Sequence, residues 1–137
     1  MSRVVLFVCL WLVGLLAGFN IGAAFGDTYV RDGDTIVVDN VPVRLKGLSC
    51  DETNTEAGRQ QSAYLKSLFE GATSLSCTLT QETTYDRRVG WCSLDGLDIG
   101  HIMIMHTNCQ PCRRYDTTGK YSMHQVTGPV PNYCKEK

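Results

Sequence analysis

The chain has 137 residues, and its 13 Lys and Arg face 14 Asp and Glu, for a formal net charge of −1. This length suits one domain rather than two. The near balance of charge argues against a general polyanion-binding surface, which is usually strongly basic. Any contact with nucleic acid must therefore be made at a local site.

The N-terminal segment has the pattern of a secretory signal peptide. Arg3 precedes an unbroken apolar run over residues 4–19, and small residues follow up to Gly26. We therefore expect residues 1–26 to be a signal peptide and residues 27–137 to be an exported domain, either periplasmic or secreted. An uncleaved anchor is the alternative, because the apolar run is long enough to span a bilayer. Membrane contact would then be made through this segment only.

Six cysteines follow the N-terminal segment, which itself contains Cys9. They are Cys50, Cys77, Cys92, Cys109, Cys112 and Cys134. An even number in a short exported chain predicts a disulfide framework, although the sequence alone does not select the pairing. Cys109 and Cys112 form a Cys-x-x-Cys pattern, which leaves redox chemistry and metal binding open as alternatives.

The first predicted elements form a β-hairpin. Residues 35–38 are rich in β-branched side chains, and residues 41–48 alternate apolar and polar side chains. Between them, Asp39 and Asn40 are residues that favour a turn.

A helix is predicted next, followed by two more strands. Thr55 is a suitable N-cap, apolar residues then recur at helical spacing, and Gly71 ends the pattern. Residues 75–79 and 89–94 are predicted strands, joined by a polar connection over residues 80–88.

The last elements are a turn, a short helix and an irregular tail. The turn is at Asp95 and Gly96, the helix covers residues 98–105, and the tail of residues 108–137 is expected to be held by disulfides. This order predicts an α+β protein, mainly β, with a small closed barrel and packed helices.

Four segments in chain order resemble the thermonuclease, or staphylococcal nuclease-like, family. They are Asp-Gly-Asp-Thr at residues 32–35, the run at 43–52, the run at 85–92 and the turn with a helix start at 95–100. The resemblance covers most of the mature chain. It implies a five-stranded OB-fold barrel with packed helices, stapled here by disulfides.

The resemblance also implies a chemistry. In active members of the family, a Ca²⁺ ion and two arginines surround a phosphodiester, and a glutamate acts on the attacking water. The matching catalytic residues are Arg44, Glu52 and Arg87, with Arg88 as the alternative second arginine, and the matching calcium ligands are Asp34 and Asp32. Arginine forks suit phosphate oxygens, and a carboxylate can activate water. We expect a monomer that hydrolyses single-stranded DNA or RNA.

One departure from the family pattern leaves a second function open. Ser49 stands where the family has a calcium-binding aspartate, and a neutral oxygen is a poor replacement for a carboxylate at a Ca²⁺ site. The alternative is a non-catalytic barrel that binds a polyanion, a polysaccharide or a protein partner. The chain also resembles a cysteine-rich subgroup of nuclease-like proteins, some of which are associated with succinoglycan loci.

The fold implied by the resemblance suggests which cysteines pair. Cys77 and Cys92 would lie on neighbouring antiparallel strands, and Cys50 would pair with one of the three tail cysteines. The tail would then lie beside the site, where Tyr115 could stack on a base and Arg113 could contact phosphate. A solvated loop with a packing tyrosine is the alternative for these two residues.

Overall fold

The computed structural model describes residues 25–136. The predicted signal peptide, with its alternative as an anchor, lies outside the described residues except for its last two positions. Within the described part of the chain, no helix is long and apolar enough to cross a membrane.

Among the described residues, eight strands and two α-helices follow one another, with two short 3₁₀ turns in the tail. In order they are β1 (Tyr29–Asp32), β2 (Thr35–Val38), β3 (Val41–Leu45), β4 (Leu48–Ser49), α1 (Glu56–Gly71), β5 (Leu75–Thr84), β6 (Arg87–Leu94), β7 (Leu97–Asp98), α2 (Ile99–His106), β8 (Gln110–Pro111) and the turns at Arg113–Tyr115 and Asn132–Cys134. The main sheet has the order β1-β2-β3-β6-β5, and β7 also pairs with β6. Strands β3 and β6 are parallel, and β4 and β8 form a separate small sheet.

The predicted β2–β3 hairpin is confirmed, but its second strand ends at Leu45 rather than at residue 48, because the chain turns at Gly47 (φ 75°). Asp39 and Asn40 both have positive φ angles, of 48° and 64°. A two-residue turn of this kind matches the right-handed twist of the strands it joins. The turn sets the register, in which Thr35 lies opposite Arg44 and Ile36 lies opposite Val43.

Both predicted helices are also confirmed, to within one residue at their ends. The Thr55 side chain accepts a hydrogen bond from the Gly58 N–H (3.0 Å) at the start of α1. The Asp98 side chain does the same for His101 (3.0 Å) at the start of α2. Leu65 of α1 is fully buried in the core.

The polar connection predicted over residues 80–88 is wrong. Strand β5 continues to Thr84, β6 begins at Arg87, and only Tyr85 and Asp86 form the turn. Residues 81–83, in the added part of β5, are polar and exposed. This part of β5 therefore lacks the alternation that identifies a strand in a sequence.

The closed barrel expected from the sequence is not present. Within residues 25–136, no backbone ladder joins the edge strand β1 to the opposite edge strand β5. Strand β1 has four residues and a register shift between Val30 and Asp32, which leaves few backbone groups free to pair. The structure confirms the α+β, mainly β class.

Three disulfides join the six described cysteines. Cys77 pairs with Cys92 directly across β5 and β6, as predicted. Cys50 pairs with the tail residue Cys109, and the remaining bond joins Cys112 to Cys134. Because the two cysteines of the Cys-x-x-Cys pattern have different partners, the pattern is not a redox pair and offers no thiolate to a metal. Three disulfides indicate an oxidising environment.

Candidate functional site

The turn between β1 and β2 brings the Asp-Gly-Asp motif against the chain that follows β4. The backbone N–H of Asp34 donates to Asp32 Oδ1 (3.1 Å), which closes the turn. A Cβ atom at Gly33 would lie only 2.8 Å from Cys50 Cβ and 3.1 Å from Gln61 Cβ. The glycine therefore allows close contact between the motif, the Cys50–Cys109 disulfide and helix α1.

Asp34 is a nearly buried carboxylate, 8% exposed, at the centre of this contact. Its Oδ2 accepts the Cys50 N–H (2.9 Å) and lies 3.2 Å from Arg44 Nη2. Its Oδ1 accepts a hydrogen bond from the Thr35 hydroxyl (3.3 Å). Burial raises the pKa of Asp34 to about 6, Arg44 opposes that shift, and Asp32 adds to it.

Arg44 and Arg87 lie on the same face of the main sheet. Arg44 is the register partner of both Thr35 on β2 and Val89 on β6, and Arg87 precedes Val89 by two residues. Side chains two residues apart on a strand share a face. Arg87 Nη1 donates to Thr35 Oγ1 (3.3 Å), so one hydroxyl connects this arginine to Asp34.

The neighbouring Arg88 does not share this arrangement. It lies one residue along β6 and therefore on the opposite face, where its guanidinium donates to the Thr80 carbonyl (3.1 Å). Of the two arginines that the sequence offered, Arg87 is the one that the structure brings to Asp34 and Arg44.

The segment that carries Glu52 is held by the first turns of α1. Gln61, which is 2% exposed, accepts the Asp51 N–H (2.7 Å) and donates to the Asp51 carboxylate (2.8 Å). The Glu52 carbonyl accepts from Thr55 N (2.9 Å), and a Cβ atom at Gly58 would lie 2.0 Å from that carbonyl oxygen. These contacts fix the backbone of Glu52.

The Glu52 side chain itself is exposed. Among residues 25–136, the hydrogen bonds of Glu52 are those that its backbone carbonyl accepts from Thr55, and its carboxylate is joined to neither arginine. The Glu52 carboxylate is therefore available to a ligand or to water, although its backbone is held by α1.

The oxygen ligands expected for Ca²⁺ are engaged by protein groups. Both oxygens of Asp34 already have partners, and Asp32 is engaged through Oδ1. Ser49 is buried and supplies no charge. Within the described residues, no group of three His, Cys, Asp or Glu side chains is arranged to hold a metal, whereas Ca²⁺ takes about six to eight oxygen ligands. Calcium binding stays a prediction of the resemblance.

Arg113 and Tyr115 are the two tail residues that were expected at the substrate. Arg113 donates to the carbonyls of Tyr121 (2.9 Å) and His124, and so holds the tail together. Tyr115 is half exposed, and the guanidinium of Arg114 lies 5.9 Å from its ring centroid. Neither residue hydrogen-bonds to the group formed by Asp34, Thr35 and the two arginines. Arg113 is therefore a residue of the tail scaffold in this structure.

Tyr85 belongs to the site surroundings and was missed in the sequence. It stands at the β5–β6 turn with a φ of 54° and is 96% exposed. The Arg87 guanidinium lies 5.8 Å from its ring centroid. A bulky residue at positive φ is unusual, and no turn residue marks this position in the sequence.

The Gln61 contacts predict a local loss of stability when they are removed. Gln61→Leu leaves the backbone N–H and the carboxylate of Asp51 without these partners, so the free energy of unfolding should fall by about 1–3 kcal/mol. Urea unfolding of the disulfide-intact protein measures this. Gln60→Leu is the matched control, since Gln60 is exposed and bonded only to Glu56 among described residues, and it should cost within about 0.5 kcal/mol. Equal losses in the two variants would contradict the role given to Gln61.

The fold and this group of residues define a small, disulfide-bonded α+β protein with two arginines beside a buried aspartate. Comparison with known proteins adds no identification. No protein-family model matches the chain, and no curated protein shows significant sequence similarity to it.

Proposed function

We propose that the protein is an exported, thermonuclease-like phosphodiesterase that binds single-stranded DNA or RNA. The observation that carries the proposal is the placement of Arg44 and Arg87 on one sheet face, connected through Asp34 and Thr35. A guanidinium fork matches two phosphate oxygens, and two forks from neighbouring strands can hold one phosphate from two sides.

The strand order supports an OB-type arrangement for this proposal. An OB fold is a five-stranded, partly open Greek-key barrel that binds oligonucleotides on the face of its second and third strands. The sheet here has six strands, of which five follow the order β1-β2-β3-β6-β5 and the sixth, β7, pairs with β6. Thr35 and Arg44 belong to β2 and β3, which is where such a fold would bind a nucleic acid.

Three groups would share the work of hydrolysis. Arg44 and Arg87 would stabilise the negative charge that develops on the phosphate oxygens in the transition state. The exposed Glu52 carboxylate, whose backbone is fixed by α1, would orient the attacking water. The exposed ring of Tyr85 offers a surface on which a base can stack.

A second candidate function is binding without hydrolysis, with a polyanion, a polysaccharide or a protein as the partner. Two observations favour it. Ser49 replaces a carboxylate that the resemblance requires, and both oxygens of Asp34 are already engaged by protein groups. An anion could still be held by the two arginines.

The experiment that tests the proposal is a cleavage assay of the purified, oxidised protein on single-stranded DNA and RNA, with and without millimolar Ca²⁺. We expect calcium-dependent cleavage that is lost in Glu52→Ala. Cleavage by Ser49→Asp alone would favour the binding function, with a metal site that the serine has impaired. A wild type that neither cleaves nor binds nucleic acid would contradict the proposal.

A further inference from the structure

We infer that Arg31 is a third phosphate-binding residue, and that the site therefore takes a chain of linked phosphates rather than a single phosphate. This inference rests on the proposed function, because it extends the contacts of Arg44 and Arg87 along the same ligand. Nothing in the sequence motifs singles out Arg31.

The backbone directs Arg31 towards the β5–β6 turn. It lies at the register shift of β1, between Val30 and Asp32, where a residue leaves the regular alternation. Its Nη1 atom is 3.1 Å from Oδ2 of Asp86, the turn residue directly before Arg87. The ion pair thus brings an arginine from one edge of the open sheet next to the arginine on β6.

The ion pair that holds Arg31 is weak enough to be replaced. The Arg31 and Asp86 side chains are 46% and 61% exposed. Exposed pairs of this kind contribute between about 0 and 1 kcal/mol, so a phosphate oxygen can take the place of the Asp86 carboxylate at little cost. Lys46 is different, because its own side chain is only 6% exposed in its pair with Glu82. Arg31 is therefore available to a ligand.

Arg87 is connected to both of the other arginines. It donates to Thr35, the register partner of Arg44, and it directly follows Asp86, the ion-pair partner of Arg31. A ligand that contacts all three arginines must reach across these positions, as a nucleic-acid strand does and inorganic phosphate does not. In the free protein, the Asp86 carboxylate pairs with Arg31, and it therefore competes with the nucleic-acid strand for this arginine.

The first test compares two probes in the presence of EDTA, which prevents metal-dependent cleavage. A fluorescent oligothymidylate reports on the strand, and inorganic phosphate reports on a single phosphate. Arg31→Gln should weaken oligothymidylate binding by about tenfold and phosphate binding by less than about twofold. The slope of log K against log salt for the oligonucleotide should fall in magnitude by about 0.7, the value for one phosphate contact on a single strand. Arg88→Gln, on the opposite face, should leave the slope unchanged.

The second test is a double-mutant cycle between Arg31 and Asp86. Asp86→Asn should tighten oligothymidylate binding because it frees Arg31, and the gain should disappear in the Arg31→Gln background. The control is Asp39→Asn, which removes a carboxylate charge from the β2–β3 turn instead of the β5–β6 turn. It should give no such coupling. A gain from Asp86→Asn that survives without Arg31 would mean that Asp86 acts by general charge repulsion, and the inference would be wrong.

The outcomes separate this inference from the proposed function. If the oligonucleotide binds, depends on Arg87 and is unaffected by Arg31→Gln, the inference fails and the proposed function stands. If Arg31→Gln weakens both probes equally, Arg31 belongs to a single phosphate site and the linked-phosphate inference fails. If the wild type binds neither probe in EDTA, the inference fails, and the proposed function fails as well if the protein neither binds nor cleaves the oligonucleotide with Ca²⁺.

Discussion

Replacing Arg87 with glutamine should lower nucleic-acid cleavage by about 10²–10³-fold and leave the fold intact. Removal of one donor that stabilises developing negative charge typically has an effect of about this size. Arg87 is half-buried and hydrogen-bonds to Thr35 and to the Thr84 carbonyl, so no buried carboxylate depends on it for charge neutralisation. Single-turnover kinetics at saturating substrate measures the chemical step, and far-UV circular dichroism with urea unfolding checks the fold.

Arg88→Gln is the matched control for this result. It removes the same charge one residue along β6, on the opposite face, and should change the rate by less than about twofold. Arg87→Lys adds a second comparison, because lysine keeps the charge without the planar fork. Full activity in Arg87→Lys would show that only charge matters at this position, and equal losses in Arg87→Gln and Arg88→Gln would contradict the assignment of Arg87. If the protein binds without cleaving, the same comparison applies to affinity.

Local signals in the sequence were sufficient for the hairpin and the two helices. Asp39 and Asn40 adopt the positive φ angles that a two-residue turn requires, and Thr55 caps α1 through its own side chain. Each of these features depends on a few adjacent residues. The extension of β5 and β6 over residues 80–88 depends instead on pairing between two polar segments. The open edge of the sheet depends on the short length of β1. Neither feature could be predicted from periodicity.

The candidate site likewise contains residues that the sequence predicted and contacts that only the fold reveals. The resemblance named Asp34, Arg44 and Arg87, and strand register brings these three together in the structure. The Thr35 hydroxyl that connects them is a consequence of that register and has no signature of its own in the sequence. Arg113 was assigned to the substrate because a disulfide from Cys50 to the tail would bring the tail beside the site. Its carbonyl partners come from tail backbone that only the three-dimensional fold brings to it.

Asp34→Asn should stabilise the protein at neutral pH while it impairs function. Burial raises the folded-state pKa of Asp34 to about 6 from its ordinary value of 3.8. Because the folded state holds this proton more tightly than the unfolded chain, its contribution to stability is fully present below about pH 4 and is lost as pH rises through about 6. The shift corresponds to a loss of up to about 3 kcal/mol by pH 7. Asparagine carries no such charge and can keep an acceptor for the Cys50 N–H and Arg44.

Urea unfolding of the two disulfide-intact proteins between pH 4 and pH 8 measures this difference. The advantage of Asp34→Asn should be small at pH 4, grow through pH 6 and level off above it, and Asp39→Asn at an exposed turn should show no such rise. A carboxylate that is kept buried at a cost in stability is expected where function requires it, since selection retains destabilising groups at functional sites. Asp34→Asn should accordingly weaken cleavage or strand binding, because a neutral amide holds Arg44 less firmly than a carboxylate does. A variant that is less stable than the wild type at pH 7 would instead show that the Asp34–Arg44 ion pair outweighs the burial of the carboxylate.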